Sequence, residues 1–494
     1  MNIYELIAML MYFVVVIGVG IYFFFKDKVG AGEKEYFLGG RNMGGWVAAL
    51  SAGASDMSAW VLMGLPGSIY LYGIGQLWIS VGLLIGTVCA WIFVAPRLRR
   101  YSILAGDSIT IPQFLTNRFM SKNKSLQVIS ALVFAIAYCV YAASSISACG
   151  TLFNTVLGMD PTVAMVIATC VIVVYTFLGG FNAVCWTDFF QGLLMLGALM
   201  LAPIIAVATM SMAGFVQPEL VLPDNYYNML AGGVLDWTSL TVIISGLGWG
   251  LGYFGMPHIL VRYISIRSEK EMKKSRIIGS CWTFVILLMA SVVGIVGRQF
   301  LGDAVVDNDS IVFITMVRTV FPAFLAGILL SAILAASMST ADSQLLASSS
   351  AFSSDIYKSV LRKQASDKEM LWAGRFAVVL IAVIAFCIAN SPDCQGIMAL
   401  VSCAWGAFGS AFGPVILLSL YWKRFTYSGA VAGVTVGFLV DAVWYAFLAV
   451  PTGIYEIVPG FFCGLLAAVV VTLLSKKPDS KVIDLFNKSC NPVD

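Results

Sequence analysis

Charged residues are scarce in this chain of 494 residues, since Asp, Glu, Lys and Arg together make up only 11% of it. A soluble globular protein carries about 25%. So few charges cannot cover the surface of a soluble protein of this size, so a soluble fold is excluded. The net charge is only +3, which provides no strongly basic surface for nucleic acid. We therefore expect no nucleic-acid partner and no obligate protein partner.

Residues that usually build catalytic centres are also few or badly spaced. The single histidine, His258, cannot form a metal site alone, and the eleven cysteines show no metal-ligand spacing. We interpret most of these cysteines as small apolar fillers. The sequence has no P-loop, no zinc-protease motif and no nucleophile elbow. ATP-driven pumping and hydrolysis are without support, and we expect the protein not to be an enzyme.

Apolar residues dominate instead, with 60% hydrophobic residues and a mean hydropathy of +0.91. Runs of about 20 apolar residues, enough to cross the lipid bilayer, recur along the chain. They predict thirteen membrane-spanning helices, at residues 4–25, 45–70, 74–95, 126–156, 162–179, 189–211, 238–261, 277–299, 321–350, 372–390, 396–421, 427–449 and 455–475. The first run lacks a basic leading region and a cleavage-like site, which favours a retained helix over a signal peptide.

The basic residues predict the orientation of these spans. If the N-terminus lies outside, all but Arg298 and Arg318 of the 29 lysines and arginines fall on the inner side. The positive-inside rule therefore predicts an external N-terminus and a cytoplasmic tail at residues 476–494.

The second span contains polar residues at its centre. Between Leu50 and Trp60 lie Gly53, three serines and Asp56. A carboxylate at the middle of a bilayer costs roughly 2.5–3.5 kcal/mol on insertion scales, and small residues weaken the helix around it. A carboxylate, hydroxyls and free carbonyls at this depth are typical of a cation site inside a broken helix.

The seventh span is interrupted as well, since residues 245–257 hold five glycines and a proline. Close glycine-mediated helix packing is the alternative interpretation, but Pro257 and the interleaved Trp249 and Tyr253 favour an interruption. Spans two to six and seven to eleven form two groups of five that enter the membrane from opposite sides. This arrangement predicts inverted repeats, with a substrate site between their interrupted helices.

These groups divide one transmembrane domain, residues 1–494, into five parts. The parts are a first helix with its inner loop (1–44), repeat one (45–211), repeat two (238–421), two extra helices (427–475) and the tail (476–494).

The ninth span places two hydroxyls, Ser339 and Thr340, side by side. With the Ala336 carbonyl and carbonyls of the second span they would supply about five oxygens, the number that a hard cation prefers. The alternative is that both hydroxyls bond to the preceding turn of their own helix.

Three blocks of the sequence resemble a known family. Residues 49–66 (ALSAGASDMSAWVLMGLP), 248–258 (GWGLGYFGMPH) and 329–346 (LLSAILAASMSTADSQLL) are similar to blocks of the solute:sodium symporter family, its bacterial sodium/proline symporters in particular. A block at 175–180 with 185–188 is also similar, and the resemblance extends from about residue 36 to 464. It implies an all-α integral membrane protein with a leucine-transporter-type 5+5 inverted repeat and discontinuous helices.

The resemblance also implies a function and a set of site residues. The function is sodium-coupled uptake of L-proline by alternating access across the bacterial inner (plasma) membrane, with Na⁺ as the co-transported ion. The implied sodium ligands are the carbonyls of Ala54, Met57 and Ala336 and the hydroxyls of Ser339 and Thr340, with Asp56 as the carboxylate required for coupling. The implied proline-binding residues are Ser58, Ala59, Tyr141, Trp249, Tyr253 and Pro257.

Asp342 departs from the family resemblance, which implies a small polar residue at this position. We hypothesise an accessory cation site formed by Asp188, Ser339, Asp342 and Ser343. The alternative is that Asp342 is solvated and Asp188 caps its helix. We interpret Asp441, outside the repeats, as structurally paired.

Two other functions stay open. One is a sodium symporter for another small carboxylate or amino acid, such as pantothenate. The other is a membrane sensor without net transport, although the tail after residue 475 is expected to be too short for a signalling domain. A channel is disfavoured because no ring of charged side chains or filter-like repeat occurs.

Overall fold

The computed structural model describes residues 2–26, 33–178, 180–394 and 396–491. The described residues form helices and their connections, and the β pairing among them is one isolated bridge between Met43 and Ile266. The helices of the first half are α1 (Ile3–Lys26), α2 (Glu33–Leu38), α3 (Gly45–Met57), α4 (Gly64–Tyr72), α5 (Leu77–Cys89), α6 (Ala95–Leu104), α7 (Ile111–Arg118), α8 (Ser125–Leu157), α9 (Pro161–Leu178) and α10 (Phe181–Met210).

The second half is also helical. Its helices are α11 (Trp237–Gly248), α12 (Pro257–Ser265), α13 (Glu269–Leu301), α14 (Val312–Val320), α15 (Ala323–Ser350), α16 (Asp367–Ala389), α17 (Ile397–Tyr421), α18 (Tyr427–Val443), α19 (Ala449–Thr452), α20 (Ile457–Leu474) and α21 (Ser480–Ser489). Short 3₁₀ segments and π-helical turns extend or join several of these helices, including the 3₁₀ segments Ala59–Val61 and Trp249–Phe254.

Each of the thirteen predicted crossings coincides with helical structure. Within the described residues, ten helices are long and apolar enough to cross a membrane, and a bent pair forms an eleventh crossing. The two others are the broken segment α3–α4 and the 18-residue helix α9. The all-α membrane architecture predicted from hydropathy is confirmed.

The second span is broken where the sequence predicts it. Helix α3 ends at Met57, and Ser58 has φ +37° and ψ −171°, so the chain leaves helical geometry directly after Asp56 and Met57. A positive φ is unfavourable for a residue with a Cβ atom and persists only where the surrounding structure holds it. The chain resumes as the 3₁₀ segment Ala59–Val61 and then α4.

The seventh span is both interrupted and tightly packed. Its halves, α11 with the 3₁₀ segment Trp249–Phe254 and then α12, are bent by 44°. Pro257 is the first residue of α12, where its missing N–H costs no helical hydrogen bond. A Cβ atom on Gly250 would lie 2.3 Å from the Gly82 carbonyl oxygen, so backbone meets backbone here. The packing alternative therefore holds together with the predicted interruption.

Two span boundaries differ from the prediction. The sixth span begins at Phe181 rather than 189, because polar residues such as Thr187 and Asp188 lower the hydropathy of turns that are nevertheless helical. Asp188 therefore lies inside α10 and does not cap it. The ninth span continues past Ser350 as a π-helical segment to Leu361.

The block at 175–180 that resembles the family includes residue 179, which lies outside the described residues.

Helix α3 lies at the centre of the bundle, against α10, α12, α13 and α15. Gly53 allows this contact, because a Cβ atom there would lie 2.5 Å from the Trp282 ring. Helix α15 in turn packs against α1, α3, α8 and α10. This packing brings the broken part of α3 beside Ser339.

A Gly86→Ala substitution tests the backbone contact between α5 and the seventh span. Its Cβ atom would lie 2.2 Å from the Gly250 carbonyl oxygen, so we expect a loss of about 1–3 kcal/mol from overpacking. The measurement is the apparent unfolding temperature of the purified protein in detergent. Gly197→Ala is the control, because its Cβ atom meets nothing within 4 Å. Equal unfolding temperatures for the two variants would contradict this packing.

Candidate cation and solute site

The Ser339 hydroxyl joins the broken helix to the unbroken one. Its Oγ lies 3.0 Å from the Ala54 carbonyl oxygen of α3 and 3.1 Å from the Ala336 carbonyl oxygen of its own helix. Oxygens that share one coordination shell at about 2.4 Å from a hard cation lie about 3.3 Å apart. Both separations from the Ser339 oxygen are close to this value, although the bond to Ala336 is also the own-helix bond that the alternative expects for Ser339.

The Thr340 hydroxyl is buried and has no hydrogen-bond partner among the described residues. Other hydroxyls of α15 follow the usual pattern, since Ser331 donates to Gly327 and Ser348 to Gln344, each four residues earlier. A buried hydroxyl without a partner costs about 1–3 kcal/mol. The back-bonding alternative fails for Thr340, and its free oxygen is suited to a cation. Met57, the fifth predicted ligand, is the last residue of α3, where carbonyls lack helical partners.

Asp56 lies beside this group, and its side chain is 2% exposed. Its carboxylate accepts a hydrogen bond from the Tyr253 hydroxyl, and its backbone oxygen accepts one of 3.1 Å from Tyr141. No lysine, arginine or histidine of the described chain forms an ion pair with it. A buried carboxylate without a cationic side chain favours a mobile cation nearby.

Aromatic rings line the same region. Trp249 packs between Trp60 and Tyr455, at centroid distances of 5.7 and 5.1 Å. The Trp405 indole donates to the Trp249 carbonyl oxygen at 2.7 Å, and its ring packs edge-on against Tyr253 at 5.2 Å. The sequence prediction found Trp249, Tyr253 and Tyr141 but missed the other aromatics. Trp405 lies on a span without an interruption, so only its glycine-rich neighbourhood could have indicated it.

Of the remaining predicted solute-binding residues, Ser58 and Ala59 lie at the break of the second span. Ser58 accepts a hydrogen bond of 3.2 Å from the Trp60 amide, and Ala59 is buried beside it. Pro257 is further along, where it lines a narrow cavity together with His258, Arg262, Ser343 and others. The structure therefore places Pro257 at this cavity, at the start of the second half of the seventh span.

Arg262 is the main residue that the sequence interpretation missed. The positive-inside rule predicts Arg262 on the inner side, one residue past the seventh span, but it lies on α12 with 2% exposure and forms a buried ion pair of 2.8 Å with Asp188. Its guanidinium also donates to Ser51 at 2.7 Å and to Ser343 at 2.5 Å. A charge within an otherwise apolar turn, PHILVRYIS, was the available signal.

This network contains the residues of the predicted accessory site. Ser51 donates to Asp188 at 2.6 Å, and Ser343 lies 3.2 Å from the Asp342 carboxylate. Asp342 is fully buried rather than solvated, so that alternative is wrong. Asp188 and Asp342 each keep one buried oxygen without a hydrogen-bond partner among the described residues. One guanidinium can compensate only one of these two carboxylates.

Breaking the Asp188–Arg262 pair is expected to destabilise the protein strongly. Arg262→Met leaves the Asp188 carboxylate buried and uncompensated, at a cost of about 3–5 kcal/mol, and adding Asp188→Asn restores most of this loss. Arg267→Met is the matched control, because Arg267 pairs with Glu271 but is 55% exposed, and its loss costs about 1 kcal/mol at most. The measurement is the apparent unfolding temperature in detergent. Similar losses in both single arginine variants would refute a structural ion pair.

Comparison with known proteins gives close relatives along almost the whole chain. The model of the "Sodium:solute symporter family" matches residues 36–437. The high-affinity proline transporter PutP of Bacillus subtilis is 44% identical over 468 residues, covering 94% of this chain and 97% of that protein. A sodium/proline symporter of Escherichia coli is 43% identical over 459 residues, covering 92% and 90%.

A solved structure shares the fold. A Na⁺-coupled sialic acid symporter superposes on this protein with a TM-score of 0.77. Its structure shows a substrate-bound outward-open state with a novel Na⁺ site. It covers 97% of this chain and 99% of its own at 21% identity, so it supports the fold alone. The family match and the identity of the relatives carry the assignment: this multi-pass membrane protein belongs to the sodium:solute symporter family.

Proposed function

We propose that this protein couples the uptake of L-proline to the entry of Na⁺. The observation that carries the proposal is the convergence of the Ser339 hydroxyl with the Ala54 and Ala336 carbonyls, next to the unpartnered Thr340 hydroxyl. In this proposal the Thr340 hydroxyl and the Met57 carbonyl complete a set of five oxygens with these three. Relatives more than 40% identical are named proline transporters, which supports proline as the solute.

Sodium binding at this point would change the stability of the helix break. A cation held by Ala54, Ser339 and Thr340 ties α3 to α15, because its ligands come from both helices. The Asp56 carboxylate, which forms no ion pair among the described residues, would compensate the cation charge from the last turn of α3. Sodium then stabilises the backbone conformation in which Ser58 and Ala59 receive the solute.

The chemistry of the break suits an amino acid with an apolar ring. Backbone amides that follow a helix break can take a carboxylate, as helix N-termini do. The faces of Trp249 and Tyr253 suit the pyrrolidine ring and its secondary ammonium group. A sugar would require many more directional hydrogen-bond partners than these segments offer.

Alternating access follows from this coupling. Sodium and proline each stabilise the same arrangement of α3 and α15, so each raises the affinity for the other by the same factor. One positive charge moving through about 100 mV supplies about 2.3 kcal/mol. A tenfold sodium gradient adds about 1.4 kcal/mol. Together these terms support accumulation of proline on the order of several hundredfold with one sodium per proline.

The orientation belongs to the same proposal. The basic residues support an external N-terminus and a cytoplasmic C-terminus in a bacterial plasma membrane. In this orientation sodium and proline enter from the outside, and the cavity beside Pro257 and Arg262 lies on the inner half of the seventh span.

Uptake of labelled proline into proteoliposomes tests the proposal. An inward sodium gradient should drive accumulation, and an equal potassium gradient should not. Ser339→Ala and Thr340→Ala should each weaken the apparent sodium affinity by about 10-fold or more, since a hydrogen-bonding group that contacts a charge contributes about 1.5–3 kcal/mol.

Ser348→Ala is the control for these variants. Ser348 lies on the same helix and is equally buried, but its hydroxyl donates to Gln344 at 2.7 Å. Its sodium affinity should equal that of the wild type. Proline uptake that is independent of sodium would refute the coupling. Sodium-driven uptake of labelled pantothenate without any uptake of labelled proline would refute proline as the solute.

We also propose that the Asp188, Ser339, Asp342 and Ser343 neighbourhood holds an accessory cation, with Arg262 as a fixed positive charge beside it. The Asp342 carboxyl group supports this proposal, because it forms no ion pair among the described residues and its second oxygen has no hydrogen-bond partner there. The cation would neutralise the remaining negative charge of the network.

Asp342→Ser tests the accessory site. We expect a lower apparent sodium affinity and a shallower sodium-dependence curve, because one cation-binding carboxylate is lost. The measurement is proline uptake as a function of sodium concentration. A curve with unchanged slope and midpoint would remove the accessory site and leave the Ser339–Thr340 site intact.

A further inference from the structure

Two buried carboxylates lie together outside the site described above. Asp441 of α18 is 3% exposed, and Glu456, immediately before α20, is 4% exposed. Both face Gly406 of α17. A Cβ atom on Gly406 would lie 2.8 Å from Asp441 Oδ1 and 3.5 Å from Glu456 Oε1, so both oxygens border one small volume.

The two carboxylates have different hydrogen-bond partners. The Ser410 hydroxyl donates to Asp441 Oδ1 at 3.0 Å. Glu456 Oε1 is buried and has no hydrogen-bond partner among the described residues. The expected structural pairing of Asp441 is therefore with a hydroxyl, not with a cationic side chain.

Glycines leave no room around the pair for a large compensating group. A Cβ atom on Gly460 would lie 2.3 Å from Ser410 Oγ and 3.1 Å from the Asp441 Cβ. Helices α17, α18 and α20 pack together at this point. No lysine, arginine or histidine of the described residues forms an ion pair with either acid.

The other titratable groups around the pair are neutral at physiological pH. Helix α17 contributes the Cys403 thiol, and the residue before Glu456 contributes the Tyr455 phenol. Tyr141 of α8 faces Tyr455. The adjoining 3₁₀ segment contributes Tyr253, and α11 carries no titratable side chain. The carboxylates therefore have no cationic group to offset two negative charges.

Two adjacent buried carboxylates cannot both be ionised without such a group. A proton is the cation that the enclosure accommodates, since it needs no coordination shell. We propose that Asp441 and Glu456 form a proton-binding site and share one proton at neutral pH.

This site adjoins the aromatic residues of the candidate solute site. Tyr455 adjoins Glu456 in sequence, and its ring packs 5.1 Å from Trp249. Loss of the proton would place two negative charges at the junction of α17, α18 and α20. The protein is therefore stabilised by this proton at neutral pH and loses that contribution as the pH rises.

Infrared spectroscopy of the purified full-length protein tests the proton directly. Protonated carboxyl groups have a C=O stretch that shifts in heavy water. We expect such a band in the wild type at neutral pH and its loss or clear reduction in Glu456→Gln, whose amide imitates the protonated acid. Glu5→Gln is the matched control: Glu5 is 3% exposed but pairs with Arg318 at 3.0 Å, so its ionised carboxylate contributes no such band.

Thermal unfolding gives a second readout that does not depend on the transported solute. The unfolding temperature of the wild type should fall relative to that of Glu456→Gln between neutral and alkaline pH. Parallel pH curves together with an unchanged carboxyl band would overturn the proposal. If Glu456→Gln instead bound one sodium ion fewer than the wild type, the occupant would be sodium, and the assignment of a proton would be wrong.

Discussion

The contact between the Ser339 hydroxyl and the Ala54 carbonyl oxygen determines how the centre of this protein is built. A helix that stops inside a membrane leaves backbone groups that lipid cannot satisfy, so they must find partners in the protein or in a polar cavity. Ser339 supplies a partner for Ala54, and Tyr141 supplies one for Asp56. These partners lie on α15 and α8, so the break in α3 requires that both helices remain close to it.

Aspartates with the same chemistry have different surroundings in this fold. Asp188 is neutralised by Arg262, Asp56 has a tyrosine hydroxyl, and Asp441 has a serine hydroxyl and a neighbouring glutamate. A fixed guanidinium makes a carboxylate a structural element, since the charge is compensated in every state of the protein. A carboxylate without such a partner needs a cation that can arrive and leave. The location of Arg262 therefore distinguishes Asp188, whose charge is compensated in the protein itself, from Asp56 and Asp342, which form no ion pair among the described residues.

Much of the architecture could be predicted from local properties of the sequence. Hydropathy determines where the chain crosses the bilayer, and glycine, proline and clustered hydroxyls mark the two interrupted helices. The sixth span was placed too short because Thr187 and Asp188 are polar but helical. Arg262 and Trp405 were missed because their roles come from contacts between distant helices, such as the bond from Trp405 to the Trp249 carbonyl oxygen. The boundaries of the two repeats stay a prediction.

The meeting of Gly250 with Gly82 and Gly86 has a mechanical consequence. Backbone touches backbone there without any side chain that could change rotamer, so we expect α5 and the 3₁₀ segment Trp249–Phe254 to move together. Helix α12 joins that unit through the extended residue Met256, while its packing partners include α3 and α6. The first half of the seventh span is thus packed on α5, and its second half, α12, is packed on α3 and α6. A rotation of one half against the other would be concentrated at Met256.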